Sequence, residues 1–160
     1  MRSSRVSPWE DSQEQRPQLS KEDSMIVHEV PGLLRVEWND EAKAMIDTWS
    51  SYTIKVPQFR EAILQKGIAH AKLHGGRAWV MDATKAKGAF PPEVQTLIET
   101  EVFKAFASIG VKYFLTIKSA DSAITNLSIK SFTAHLGPCG IQMVEVPDQK
   151  TAIAWLREHR

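Results

Sequence analysis

Apolar residues recur along this chain with two different periods, and the changes of period mark its elements. Residues 25–30 are rich in β-branched and apolar side chains, Pro31-Gly32 is a turn pair, and Leu34, Val36 and Trp38 then alternate with Arg35 and Glu37. That is a β-hairpin with one buried face. The spacing next becomes helical: Asn39 or Asp40 caps a short helix carrying Ala42, Met45, Ile46 and Trp49. A second helix is predicted from Pro57 through Phe59, Ala62, Ile63 and Ala69, ended by Gly75-Gly76. Residues 78–81 form a short apolar run closed by Asp82, which reads as a strand buried on both faces.

After Pro91-Pro92-Glu93, the residues Val94, Leu97, Ile98, Val102, Phe106 and Ile109 keep helical spacing until Gly110. Residues 111–117 read as a strand. Ser119 or Asp121 caps a helix bearing Ile124, Leu127 and Phe132 that stops at Gly137-Pro138, residues 141–146 form the last strand, and Asp148 caps a closing helix with Ala152, Trp155 and Leu156. Strands that alternate with helices need crossover connections. The expected fold class is therefore α/β: a mostly parallel five-stranded sheet that opens with a β-hairpin and is covered by helices. Residues 1–24, polar apart from Val6, Trp9 and Leu19, bury too little to offset their ordering entropy and are read as a disordered tail before a single domain over 25–160.

Composition narrows the function classes. Of the 160 residues 42% are hydrophobic and 24% charged, and Lys plus Arg at 20 against Asp plus Glu at 19 leaves a net charge of +1. No field of that size steers a polyanion, so nucleic acid is not an expected partner. No apolar run reaches the roughly 18 residues of a membrane span, and the chain is read as cytoplasmic. The single Cys139 excludes an intrachain disulfide or a thiolate metal framework. It sits in LGPCG, where a small buried turn cysteine is the expectation. No nucleophile elbow and no phosphate-binding glycine loop is present, so no enzyme activity and no cofactor are expected.

The polar candidates gather at one sheet edge. Asp82 ends a parallel strand, where open α/β sheets place ligand-binding residues, and Thr84, Lys85, Lys87, Ser119, Asp121 and Ser122 follow the carboxyl ends of neighbouring strands. Either they form a polar pocket for a small anion or a partner's carboxylates, or Asp82 bonds the amides of its own loop while the lysines stay solvated. His70 and His74 stand four apart on a helix, a spacing that a shared metal could use, but HAKLH supplies no further ligand, and the expected reading is a helix C-terminus that favours partial positive charge, with no metal. Trp49 and Tyr52 flank Ser50-Ser51. With Phe90, Pro91 and Pro92 they form an interface patch, or else Trp49 packs under the sheet and Tyr52 covers it.

The hairpin segment GLLRVEW, the strand RAWVMDAT, the helix-to-strand run PPEVQTLIETEVFKAFASIGVKYF and the closing QKTAIAWL together resemble the STAS superfamily over residues 25–160. The likeness is to the branch of small bacterial STAS-like proteins related to the CRAL-TRIO lipid-binding fold. The resemblance implies a non-enzymatic regulatory or protein-interaction domain that meets its partner through residues 82–92 and the following helix, as a monomer or a homodimer. In that family a Ser or Thr at this helix start is the phosphorylation switch. Here Phe90, Pro91 and Pro92 occupy the place, and the nearest hydroxyls are Thr84 and Thr96. The alternative that the lipid-binding relatives imply is a binder of a small hydrophobic or anionic ligand, held in an apolar cavity between the sheet and the helices that begin at Pro57 and Pro92, with Lys85 or Lys87 at its mouth.

Overall fold

A computed structural model of the chain describes residues 24–117 and 134–159. The expected tail up to residue 23, the helix expected after Ser119 or Asp121, and the site residues Ser119, Asp121 and Ser122 lie outside these. The described strands are β1 (Ser24–Val30), β2 (Leu34–Asn39), β3 (Ala44–Trp49), β4 (Ala78–Asp82), β5 (Tyr113–Ile117), β6 (His135–Leu136) and β7 (Gln142–Val146). They form one seven-stranded sheet in the order β1-β2-β3-β4-β5-β7-β6. The pairings β3 to β4, β4 to β5 and β5 to β7 are parallel, and those at both margins are antiparallel. The α/β class stands, but the sheet is mixed and larger than the mostly parallel five-stranded one expected.

The main correction is β3, which the spacing of Ala42, Met45, Ile46 and Trp49 had made a helix. Asn39 does accept from a backbone N–H three residues on, that of Ala42 at 2.9 Å. It closes a tight turn rather than starting a helix, because Lys43 takes φ +53° and reverses the chain. The segment after it pairs with β2 on one side and β4 on the other. A strand paired on both edges and covered on both faces carries apolar residues of either parity, and so short a run fits helical spacing as well as that of a strand. The second added strand, β6, is only two exposed residues long, where the expected helix would have been approaching its Gly137-Pro138 stop.

Two long helices cover one face. Helix α1 runs continuously through Val56–Phe59, Arg60–Gly67 and Ile68–His74, and its middle section is π-helical. Gln58 Oε1 accepts from the Lys55 N–H at 3.0 Å at its start, and Gly75 ends it with φ +73°, a left-handed conformation that costs glycine little. Helix α2 runs through Pro92–Leu97, Ile98–Val102 and Phe103–Ser108, again with a π-helical centre. On the other face lies α3 (Gln149–Glu158), capped as expected by Asp148, whose side chain accepts from the Thr151 N–H at 2.7 Å.

The sheet therefore separates two cores. Val36, Trp38, Met45, Trp49 and Trp79 pack against Phe59, Ile63, Val94 and Phe106 of α1 and α2. Ala44, Ile46, Val80, Leu115 and Val144 pack against Ala152, Trp155 and Leu156 of α3. No helix among the described residues is long and apolar enough to cross a membrane.

Candidate functional site

Strand alternation decides which face each candidate serves. In β4, Trp79 and Met81 point to the α1 and α2 side, so Asp82 points the other way, toward α3. There its Oδ1 accepts from the Thr84 N–H at 3.1 Å and the Thr84 hydroxyl at 2.7 Å, and its Oδ2 accepts from Gln149 Nε2 at 2.8 Å. Asp82 and Thr84 thus spend their polar groups on the turn and on the start of α3. Lys85 and Lys87 are exposed, and the Lys87 backbone joins the loop to Ser50 and Tyr52 at 3.2 and 2.9 Å.

Phe90 leaves this group for the opposite face. Its ring stands 4.3 Å from Tyr52 and 5.0 Å from Trp49, the latter edge-on, and 6.1 Å from Phe59, in separations typical of packed aromatic pairs. Trp49 is buried beneath it and Tyr52 is half-buried, so Tyr52 lies over Trp49 rather than beside it on a free surface. Pro91 borders a shallow groove with Lys55, Val56, Pro57, Glu93 and Val94, where the starts of α1 and α2 meet.

Beneath Phe90 lies a cavity of about 50 Å³. Its floor is the sheet, through Asp47, Trp49, Trp79, Met81 and Phe114. Its roof is Phe59 and Ile63 of α1 with Ile98, Val102, Phe103 and Phe106 of α2, so residues of both π-helical sections reach it. Wide π turns inside α-helices occur often at functional sites. Trp79 stacks on Phe106 at 4.3 Å and Phe103 meets Phe114 edge-on at 5.2 Å, so the walls are mainly aromatic, completed by the aliphatic Ile63, Met81, Ile98 and Val102.

Asp47 is the polar exception, and the sequence pattern did not single it out. It lies in the middle of β3, one strand over from Met81 in register, between Met45 and Trp49 on the same face. Trp79 Nε1 donates to its Oδ2 at 3.3 Å, while Oδ1 has no hydrogen-bond partner among the described residues. The Trp49 indole N–H also favours the charge of this carboxyl, although it has no partner in hydrogen-bonding geometry among the described residues. Burial outweighs both indoles, and the charge of Asp82 on the next strand adds to it, so the Asp47 pKa is pushed up to about 7. The signal available beforehand was an acid at the alternating position of M-I-D-T-W, which becomes a warning only once the segment is a doubly covered strand.

The two remaining candidates are separate from this cavity. The His70 and His74 rings lie tilted against each other at 4.2 Å and cover Trp38 at the far end of α1, and His70 Nε2 is buried with no hydrogen-bond partner among the described residues. Burial and the neighbouring His74 lower the His70 pKa. No cluster of three His, Cys, Asp or Glu side chains suited to a metal occurs among the described residues. Cys139 is exposed, in a left-handed conformation at φ +56°, so the turn is as expected but the burial is not. Comparison with known proteins finds no family model, no curated protein and no solved structure that matches the chain.

Proposed function

We propose that this protein binds a small hydrophobic molecule in the aromatic cavity beneath Phe90. One observation carries this reading: a space of about 50 Å³ remains inside the aromatic cluster beneath Phe90, and among its lining residues is a buried carboxyl, Asp47, whose Oδ1 has no hydrogen-bond partner among the described residues. Cores that serve stability alone are close-packed and pair their buried polar groups. The cavity lies between the sheet and the helices that begin near Pro57 and Pro92, where the resemblance to lipid-binding STAS-like relatives would put a ligand. Its polar group is a carboxyl from the sheet, however, and neither Lys85 nor Lys87 is among its lining residues.

Recognition of a protein partner through residues 82–92 is supported less well. Phe90, the residue best suited to anchor such a contact, is turned inward, and Asp82 is bonded on the other face of the sheet. Xenon tests the ligand reading directly, because it enters apolar cavities and demands no hydrogen bonds. The methyl resonances of Ile63, Ile98 and Val102 should shift saturably under xenon pressure, and Ile98→Phe, which fills the space from its half-buried side, should abolish the shift. Methyl resonances that do not respond in the unaltered protein would overturn the reading.

A further inference from the structure

A cleft of about 420 Å³ lies across the sheet from the aromatic cavity, along the flank of α3. That volume falls within the roughly 300–1,000 Å³ of small-molecule sites. Helix α3 packs on β4, β5 and β7, and the cleft runs beside it, where Ile46 of β3 and Asn39 of β2 face the same side. Register sets its length. Asn39 is level with Ala44 and so with Ala78, the first residue of β4, whereas Gln149 bonds Asp82, the last. The two ends therefore stand about 13 Å apart, the rise of a strand from its first residue to its fifth.

The ends differ in what they leave unbonded. At the first, Asn39 Oδ1 accepts from the Ala42 N–H at 2.9 Å, which fixes the side chain and leaves Nδ2 to donate elsewhere. Asn39 is only 7% exposed, yet its Nδ2 has no hydrogen-bond partner among the described residues and, unlike Asp47 Oδ1, is not sealed from solvent. Beside it Arg157 Nε donates to Glu41 Oε2 at 2.7 Å, and Nη2 reaches the same oxygen, so this ion pair leaves no net charge there. At the other end Lys150 stands in the first turn of α3, exposed and without an ion-pair partner among the described residues. The helix dipole opposes a cation at that position and, like the lysine itself, favours an anion beside it. Ile46 and Ile153 lie between the two ends. We propose that the cleft binds a small elongated organic anion, with a carboxylate at Lys150, an apolar body over Ile46 and Ile153, and a neutral carbonyl oxygen that accepts from Asn39 Nδ2. One unpaired lysine matches one negative charge, and Glu41 keeps a second anion away from the Asn39 end.

6-Acetamidohexanoate carries all three features, a carboxylate and an amide oxygen at the two ends of an aliphatic chain. Titrated against the whole protein at neutral pH, it should shift the Asn39 side-chain amide and the Ile46 and Ile153 methyl resonances saturably. It should bind at least fivefold more tightly than its cationic counterpart, N-(6-aminohexyl)acetamide. Lys150→Gln should weaken it about fivefold, the upper end of what one exposed charge pair contributes, and erase the preference over the cation. Asn39→Asp keeps an acceptor for the Ala42 N–H but replaces the open donor with a carboxylate oxygen, so it should weaken binding at least tenfold. Equal binding of the cationic counterpart overturns the anion assignment. A titration that moves the Ile153 methyls but not the Asn39 side-chain amide overturns the hydrogen bond assigned to Asn39, as does an Asn39→Asp affinity equal to that of the unaltered protein. If 6-acetamidohexanoate moves none of these resonances, the cleft is no anion site, and the xenon result for the aromatic cavity stands apart from it. The comparison of the two probes on the unaltered protein decides the matter even if Asn39→Asp fails to fold.

Discussion

Asp47 couples the cavity to pH through its own cost of burial. In the unfolded chain an aspartate releases its proton near 3.8, whereas in the fold this one holds it up to about 7. Between those values the folded state keeps a proton that the unfolded state has lost, so rising pH favours unfolding across the window and has no further effect above it. The stability given up from about pH 4 to pH 7 is on the order of 4 kcal/mol. Asp47→Asn should flatten this dependence and be the more stable protein at pH 8, as urea midpoints at pH 5 and pH 8 will show. A variant whose stability keeps the original slope with pH would mean that another group carries it. A core position that works against stability at neutral pH is easiest to explain if the carboxyl serves a ligand.

At the scale of elements, the cavity depends on how closely α1 approaches the sheet. Gly67 closes the π-helical section, and a Cβ there would stand 2.9 Å from Trp79 Cη2 and 3.1 Å from the Ala62 carbonyl oxygen. Trp79 is fully buried and stacked on Phe106, so its ring yields only by disturbing that contact. Gly67→Ala should therefore destabilise the protein by roughly 1–3 kcal/mol despite the higher helix propensity of alanine, since overpacking a tight contact outweighs a preference of about 1 kcal/mol. Thermal unfolding by circular dichroism measures the sign, and a stabilised variant would mean that α1 lies farther from the sheet. The two roof helices are also joined at their π-helical sections, where the two terminal guanidinium nitrogens of Arg60 donate to the two carboxylate oxygens of Glu101, each at 3.0 Å. These are the elements whose periodicity was plainest in the sequence. Their ends near Pro57, Gly75 and Pro92, like the Asp148 cap of α3, were legible because caps and breakers act locally.

For the whole molecule, the sheet, both roof helices and the loop bearing Phe90 must all be in place before the cavity exists. A ligand therefore binds the folded state alone, and a hydrophobic ligand at a hundred times its dissociation constant should add about 2.7 kcal/mol of stability, raising Tm by roughly 5–10 °C. A melting temperature that does not respond to a saturating ligand would place the binding outside the cooperative core. The sequence by itself determined the α/β class, the opening hairpin, strands β4, β5 and β7 and the helices around them, because each follows from a local period and a local stop signal. It also marked Trp49, Tyr52 and Phe90 as a group. Only the tertiary structure decided that residues 44–49 form a strand, since so short a run buried on both faces also fits helical spacing and its conformation is set by the strands on either side. That one decision placed Asp47 and Trp49 beside the cavity. The parity of β4 in turn sent Asp82 to the opposite face of the sheet, because adjacent strand residues point in opposite directions whatever their chemistry.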